Sequence, residues 1–470
     1  MTGAEPDGRG VGPEVGPEAD LHDVPLDDPE VLSRVGWSLV AEPGDATAGA
    51  IVVALGAPTA LAWAAWAVDA GTDAALRRLR DLVRDGGRGT GGPPAGTPPG
   101  AWERVLARAL ARWAPRLADL EPRRALDAVA AVGGAVLVPG GPGWPERLGD
   151  LGSLAPPLLW VRGVRATGPL LRRSVAVVGA RAATPYGEHV ARDLGAGLAD
   201  RGVAVVSGGA FGVDLAAHRG AVAVGGPTVA LLAGGVDRPS PAGNLDLLER
   251  LAASGGALLA ESPPGTTPTR ARFLQRNRLI AAVTGATVVV EAAWRSGALS
   301  TAARAGELLR PVGAVPGPVT SMASAGCHRL LRDGAAVCVT GVDDVVELLG
   351  GEWGQESGAR NGGGDVLDLA GLPGSLGDRP ARGLRSDRAA RADPTDRADS
   401  PASRVLDAMP ARRSLGVTGI ARCAGLAEDE VLAALGLLEL AGRVERYDGG
   451  WRRSRSRVAP GGARAGRARE

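Results

Sequence analysis

The stretch SVAVVGARAATPYG, Ser174 to Gly187, decides the fold. Its first five residues form a short apolar run, typical of a β-strand that helices cover on both faces. Gly179 lets the backbone turn at the strand end, and Arg181 can direct a fork of donors at a phosphate. Thr184 and Pro185 predict the N-cap and first residue of a helix whose positive end faces the same place. The stretch indicates an anion site, although an arginine salt bridge at the sheet edge would explain the same pattern.

Apolar runs of strand length recur from this stretch to residue 340 at intervals long enough for a helix. Seven can be distinguished: VAVV, VAVVSGG, TVALLAGG, ALLAES, TVVVE, PVGAVPG and AVCVT. This alternation predicts an α/β fold with a Rossmann-like, doubly wound and mostly parallel sheet. Ligands of such sheets bind beyond the carboxyl ends of the strands, so the loops after each run are the places to search for a site.

Composition restricts the classes of protein that this chain can belong to. With 470 residues, a net charge of +1 and 45% hydrophobic residues, it is expected to be a soluble protein of several domains. Lysine is absent, so any nucleic-acid contact must come from local arginine patches. The three cysteines have neither disulfide-framework nor zinc-site spacing, which fits a reducing cytoplasm.

The chain divides into segments of different composition. We expect a disordered acidic leader (1–30), a helical N-terminal domain (31–135), a Rossmann-like core (136–350), a flexible linker (351–402), a winged helix (403–453) and a disordered basic tail (454–470). The leader lacks the features of a signal peptide. The uncharged segment 50–68 contains Gly56 and Pro58, which favour two short core helices over a membrane span. The Gly- and Pro-rich insert 86–100 is expected to be a loose loop.

A second glycine-rich loop, SGGAFGVDLAAH (207–218), also lies between a strand and a helix. Asp214 is expected to cap that helix, and the glycines are expected to bare backbone N–H groups toward an anion. Asp214 and His218 lie four residues apart and could form an acid–base pair or ligate a metal. We favour structural roles, helix capping for Asp214 and orientation of the loop for His218, because no third ligand or nucleophile is suitably spaced. The glycines are Gly208, Gly209 and Gly212.

The densest positive patch of the core is TRARFLQRNRLIAA (269–282), which interleaves Phe273 with four arginines. Such a patch suits a sugar-phosphate chain with a base to stack, whereas a solvated helical face is the simpler explanation. The next loop, EAAWRSGALSTAA (291–303), begins a helix with hydroxyl groups and N–H groups and predicts a third oxyanion site. Trp294 in this loop could stack a base or pack inward. The four arginines of the patch 269–282 are Arg270, Arg272, Arg276 and Arg278.

Several catalytic motifs are missing from the sequence. There is no GxSxG elbow, no GxxxxGK[ST] loop, no HExxH and no acidic cluster for paired metals. Their absence favours binding over catalysis, and we expect no catalytic residue, cofactor or metal.

Five motifs in this order and spacing, GARAATPYG, SGGAFGVDLAAH, FLQRNRLIA, VVVEAAWRSGALSTA and GCHRLLRDGA, resemble the DNA-processing protein A (DprA/Smf) family. The resemblance implies a Rossmann-like core that dimerises, binds single-stranded DNA and delivers it to the RecA recombinase in natural transformation or DNA recombination. Carried onto this sequence, it implies DNA contacts by Gly179, Arg181, Gly208, Gly209, Gly212, Arg276, Asn277, Arg278, Ser296 and Gly297.

Two alternatives come from other classes of protein. Nucleotide phosphoribohydrolases have a similar fold, and Glu291 would be the candidate carboxylate, although the PGGxGTxxE signature of those enzymes is absent. A transcription regulator would bind duplex DNA through the winged helix. The third helix of that domain begins with Glu428, Asp429 and Glu430, which would repel phosphates, so we favour contact with protein or with the DNA backbone through the wing. The wing arginines are Arg443, Arg446, Arg452 and Arg453.

Overall fold

The computed structural model describes residues 26–86, 100–350, 400–410, 414–447 and 449–454. Almost all of the predicted leader, insert, linker and tail lie outside these residues. The N-terminal region is helical, as expected from its pattern of apolar residues. Its helices are α1 (Pro29–Val40), α2 (Ala46–Leu55), α3 (Ala57–Ala70), α4 (Thr72–Gly86), α5 (Ala101–Leu117) and α6 (Pro122–Ala130).

The uncharged segment 50–68 forms parts of two helices, as predicted. Gly56 ends α2 and precedes α3 with φ of 78°, a conformation that glycine adopts without strain. Around these helices, Trp37, Trp63 and Trp113 are buried in one hydrophobic cluster. Among the helices that the structure describes, none combines the length and apolar character required to cross a membrane.

The core contains one nine-stranded sheet with strand order β1-β2-β6-β5-β4-β3-β7-β8-β9. All seven predicted strands are present as the parallel part, β3 to β9. The sequence analysis missed β1 and β2, which pair antiparallel at one edge. The strands are β1 (Gly134–Leu137), β2 (Leu159–Gly163), β3 (Ser174–Val178), β4 (Ala204–Ser207), β5 (Thr228–Leu232), β6 (Ala257–Ala260), β7 (Ala286–Val289), β8 (Val312–Ala314) and β9 (Val337–Cys338).

Helices cover both faces of this sheet, which explains the continuous apolar strands. On β3, Val175 and Val177 pack with one helical layer, whereas Ala176 and Val178 belong to the cluster on the opposite face. The helices of the core are α7 (Thr167–Arg172), α8 (Pro185–Asp200), α9 (Val213–Ala223), α10 (Leu245–Ala253), α11 (Arg270–Val283), α12 (Ala298–Glu307), α13 (Ala325–Arg332) and α14 (Val342–Leu348).

The direction of chain progression reverses between β3 and β7. From β3 the chain adds β4, β5 and β6 on one side, and it then adds β7, β8 and β9 on the other. The loops after β3 and β7 therefore diverge at their carboxyl ends and leave a crevice, which is the usual ligand position in a doubly wound sheet.

The C-terminal region forms the predicted winged helix. Its helices are α15 (Pro401–Ala408), α16 (Val417–Ala424) and α17 (Glu428–Leu440), and the wing pairs β10 (Val444–Tyr447) with β11 (Gly450–Arg453). This domain has a separate hydrophobic cluster that includes Ile420, Leu435 and Trp451.

A carboxylate that is 18% exposed, that of Glu42, connects the N-terminal helices, the core and the winged helix. Arg272 of α11 donates two hydrogen bonds to it at 3.0 and 2.8 Å, and Arg116 of α5 makes a second ion pair. Both arginines also donate to carbonyl oxygens of α16, those of Arg422 and Cys423. Burial alone would raise the pKa of Glu42, but the guanidinium groups of Arg272 and Arg116 lower it far below its ordinary value.

We expect Glu42→Gln to lower the stability of the full chain at pH 7 by about 3 kcal/mol, because the buried arginines lose their counter-charge. The folded-state pKa is depressed, so this contribution is present above the ordinary value of 4.5 and disappears as the pH falls below it. Chemical denaturation at several pH values should show the gap to wild type narrowing between pH 5 and pH 3. Glu121→Gln, which removes an exposed pair with Arg124, serves as the control. A pH-independent gap would contradict this assignment.

Candidate nucleic-acid interface

A cavity of about 1000 Å³ occupies the crevice between β3 and β7. Three parts of the core line it: the loop after β3, the first turns of α11, and the loop between β7 and α12. These segments are far apart in sequence but meet at the carboxyl edge of the sheet. The cavity therefore lies at the switch point that the topology defines.

Most of the charged residues that line this cavity are cationic. Five arginines and two aspartates contribute to it. An excess of guanidinium groups in a crevice with low-dielectric walls attracts polyanions. The arginines are Arg181, Arg270, Arg276, Arg295 and Arg453, and the aspartates are Asp214 and Asp407.

Arg181 and Arg276 both approach the ring of Phe273. The guanidinium carbon lies 4.3 Å from the ring centroid for Arg181 and 5.8 Å for Arg276. Arg276 is buried and donates through Nη1 to the carbonyl oxygen of Leu231 at 2.7 Å, whereas its Nε has no hydrogen-bond partner. Burial lowers the pKa of Arg276 to about 10, so it is still protonated at neutral pH. The structure thus brings the predicted residues Arg181 and Arg276 to one cavity.

Three further predicted residues line the cavity: Asn277 on α11, and Ser296 and Gly297 in the loop between β7 and α12. Asn277 Nδ2 donates to the carbonyl oxygen of Gly297 at 3.3 Å. Ser296 Oγ accepts from the backbone N–H of Ala298 at 3.3 Å. The bond from Asn277 connects α11 to Gly297, the N-cap of α12. Gly179 lines the cavity as well, and a Cβ there would collide with Val213.

Two N–H groups of the glycine-rich loop after β4 bond to a carboxylate of the chain itself. Asp214 Oδ2 accepts from the backbone N–H of Gly208 at 3.1 Å and of Ala210 at 3.4 Å. The predicted helix cap is also wrong, because Gly212 is the N-cap of α9 and Asp214 lies in its first turn. Burial raises the pKa of Asp214. Gly208, Gly209 and Gly212 are not among the residues that line the cavity.

The N-terminus of α8 also has an internal anion. Thr184 is its N-cap and Pro185 its first residue, as predicted. However, the backbone N–H and the hydroxyl of Thr184 donate to Glu291 at 2.9 and 2.6 Å. Glu291 is only 1% exposed, so a buried carboxylate of the chain lies at the end of α8 that the sequence analysis assigned to an external anion.

Arg278 points away from the cavity. It is 2% exposed, and its Nη2 donates to both oxygens of Glu261 at 2.6 and 2.5 Å. Glu261 Oε1 also accepts from the backbone N–H of Gly44 in the N-terminal region. The structure therefore separates Arg278 from the other predicted contacts and gives it a role in joining the core to the N-terminal helices.

His218 has a structural role, but its hydrogen bond is to β5 and not to the glycine-rich loop that we expected it to orient. Its Nδ1 lies 2.8 Å from Thr228 Oγ1, and the Thr228 hydroxyl donates to the carbonyl oxygen of Val205. Nδ1 must therefore donate to Thr228. Burial lowers the pKa of His218 to about 3, so the imidazole is neutral at physiological pH. Within the described ranges, no group of three or more His, Cys, Asp or Glu side chains could hold a metal ion.

The winged helix contributes two residues that the sequence did not assign to the site. Asp407 Oδ2 accepts from the backbone N–H of Arg270, the first residue of α11, at 3.0 Å. Arg453 donates to the carbonyl oxygen of Leu406, the residue before Asp407. Both side chains line the cavity, and only the folded arrangement of two distant domains reveals this contribution.

Comparisons with known proteins identify the family. A model of DNA recombination-mediator protein A matches residues 135–350, and a model of the DprA winged helix domain matches residues 389–450. A DNA processing protein DprA of Mycobacterium tuberculosis is 45% identical over 354 residues, which cover 73% of this chain and 83% of that protein. The chain belongs to the DprA/Smf family.

Other members of the DprA/Smf family are less similar over a shorter length. Protein Smf of Escherichia coli is 41% identical over 175 residues, which cover 37% of this chain and 46% of Smf. The X-ray structure of DprA from Streptococcus pneumoniae is 26% identical, with a TM-score of 0.49, and covers 68% of this chain and 96% of that chain. The DprA winged helix match includes most of the segment 403–453 that the sequence analysis gave to this domain.

In this DprA family member, we expect Glu291→Gln to lower stability by about 2 kcal/mol, because an amide group would face the donors of Thr184. Urea denaturation of the full chain measures this change. Glu307→Gln, at an exposed pair with Arg304, is the matched control and should leave the transition in place. Equal stability of Glu291→Gln and wild type would show that the carboxylate does not hold the loop.

Proposed function

We propose that this DprA family member is a non-catalytic single-stranded DNA-binding protein that protects DNA and mediates its recombination. The observation that carries the proposal is the cationic crevice between β3 and β7, which four exposed arginines and one buried arginine line. Arg181, Arg270, Arg295 and Arg453 are exposed, and Arg276 is buried. This arrangement suits a phosphate backbone, with bases reaching inward.

The size and spread of the charges favour a polymer over a mononucleotide. The cavity of about 1000 Å³ is at the upper end of the range for small-molecule sites. Its five arginines come from four separate segments of the chain: the loop after β3, α11, the loop after β7 and the wing. We infer that successive phosphates of one strand contact them. We propose that successive nucleotides contact Gly179, Arg181, Arg276, Asn277, Ser296 and Gly297. Gly208, Gly209, Gly212 and Arg278 have internal packing or hydrogen-bonding roles in this proposal.

The surface of α17 does not favour duplex recognition. Its exposed large hydrophobic side chains are Leu432, Leu437 and Leu440, and its first turn carries three acidic residues. A recognition helix in a major groove needs donors and cations at these positions. In the wing, Arg452 pairs with Glu445, and Arg446 lies over the ring of Trp451. These features support contact with protein or with the DNA backbone over base readout.

The finer parts of the proposal follow from family membership. We infer that the protein acts in the cytoplasm as a homodimer and delivers single-stranded DNA to the RecA recombinase in natural transformation or recombination. The family's description as a recombination mediator supports this inference. Pull-down of RecA by the full chain and by a chain lacking residues 403–470 tests the partner. If neither chain retains RecA, the inference that RecA is the partner is wrong.

An enzyme of the phosphoribohydrolase type is the second candidate, and the position of Glu291 argues against it. Both carboxylate oxygens of Glu291 accept hydrogen bonds from Thr184, and the residue is buried. A general base must reach the substrate, which this carboxylate could do only after leaving Thr184.

Binding of oligonucleotides of graded length, compared with a nucleoside monophosphate, tests the proposed function. We expect the affinity to rise with strand length and to fall steeply with salt concentration. A hydrolysis assay with the monophosphate runs in parallel. Length-independent affinity, or turnover of the monophosphate, would contradict the proposal.

We expect Arg181→Ala to weaken binding of single-stranded DNA and to reduce the salt slope by about one, because one phosphate contact is lost. Arg78→Ala is the matched control, since Arg78 also lies over an aromatic ring, 4.5 Å from the centroid of Trp66, but on the N-terminal helices. Fluorescence anisotropy at several salt concentrations provides both quantities. Equal slopes for the two variants would exclude Arg181 as a phosphate contact.

We expect Asp407→Asn to strengthen binding of single-stranded DNA by about fivefold. The Asp407 carboxylate occupies the N-terminus of α11 inside the cationic cavity, and a charge at a helix end contributes up to about 1 kcal/mol. The amide oxygen of asparagine can still accept from Arg270. Weaker or unchanged affinity in the anisotropy assay would mean that Asp407 does not compete with phosphate.

A further inference from the structure

Trp294 lies in the loop between β7 and α12, at the carboxyl edge of the sheet. Of the tryptophans in the described part of the chain, Trp66 and Trp294 are the exposed ones, and Trp294 is 51% exposed. The sequence left open whether this indole packs inward or offers a face to a base. The structure shows that half of its surface remains accessible to solvent.

A cation accompanies this indole. The guanidinium carbon of Arg329, on α13, lies 5.1 Å from the centroid of the Trp294 ring. The start of α13 rests directly on the loop after β7, because Gly326 donates its N–H to the carbonyl oxygen of Ala292 at 2.7 Å. A Cβ at Gly326 would collide with Ala292 and Ala293, so the close approach requires glycine. The helix that carries Arg329 is therefore fixed relative to Trp294.

The Trp294 loop adjoins the proposed DNA cavity. Both chain neighbours of Trp294, Ala293 and Arg295, line that cavity, whereas Trp294 itself lies outside it. Inside the cavity, Arg181 lies over the ring of Phe273. An aromatic surface for a further base is thus present just beyond the rim, next to the exposed Arg295.

We propose that Trp294 and Arg329 form a stacking platform for a nucleotide that extends beyond the cavity. The base stacks on the exposed indole surface, and Arg329 and Arg295 attract the adjacent phosphates. Stacking tolerates any base, because every base has a π-face, so the platform would add affinity without sequence preference. This inference rests on the proposed binding of single-stranded DNA and assigns it a further contact residue.

The chain contains a matched control for this platform. Trp66 is 36% exposed on α3, and Arg78 lies over its ring at 4.5 Å. The pair has the same chemistry as Trp294 and Arg329, but it belongs to the N-terminal helices and does not line the cavity. A general effect of deleting an exposed tryptophan would appear equally in Trp66→Ala and Trp294→Ala.

The test measures the affinity of the full chain for oligothymidylates of about 4 to 16 nucleotides, the range of site sizes in comparable binders. We expect Trp294→Ala to weaken binding of the longer strands by about tenfold and to leave the shortest unaffected. Trp294→Phe should recover most of the loss, and Trp66→Ala should bind like wild type. The salt slope of Trp294→Ala should equal that of wild type, because stacking releases no counterions.

Each outcome decides the inference. If wild type binds with length-dependent affinity and Trp294→Ala binds equally at every length, the platform is wrong and the proposed function stands. A loss that is the same for all lengths, or that phenylalanine does not recover, would assign Trp294 to the structure of the loop and overturn the platform. If wild type does not bind single-stranded DNA, both proposals fall.

Discussion

The hydrogen bonds between Glu291 and Thr184 fix the geometry on which the candidate site depends. The carboxylate follows β7 and holds the loop after β3, so it joins the two strands between which the chain reverses direction. Asp214 accepts a hydrogen bond from the loop after β4, and Asp407 accepts one from the start of α11. Helix N-termini and glycine-rich loops attract anions, and in this molecule carboxylates of the chain satisfy these three.

Because these positions already have anions, we expect the arginines to bind the phosphates of DNA. A site that relied on backbone N–H groups would suit one phosphate in a fixed position. Guanidinium groups on four separate segments, two of which approach the same aromatic ring, suit a chain of phosphates and bases. The winged helix supplies Arg453 and Asp407 to the same cavity. Arg272, which pairs with Glu42, also bonds to the winged helix, so the position of this domain affects the charges in the cavity.

The sequence predicted the parallel strands, their helices and the winged helix, because apolar runs and turn residues are local signals. It predicted Arg181 and Arg276 at one site, but it could not separate Arg276 from Arg278. These two residues lie about 200° apart around a helix, so only one of them can face the cavity. The sequence also could not show that Asp214 bonds to the glycine-rich loop or that Glu291 lies at the start of α8, since those partners depend on the folded structure. The antiparallel strands β1 and β2 were missed because they lie before the regular alternation begins.

Photo-crosslinking of a single-stranded oligonucleotide that carries 5-iododeoxyuridine, followed by peptide mapping, tests the central claim most directly. The claim is that one strand passes over the crevice between β3 and β7 and contacts the arginines on its rim. We predict crosslinks within residues 179–183, 268–277 and 293–297, the segments that line or border the cavity. Crosslinks confined to α17 and the wing, or to the N-terminal helices, would contradict the account.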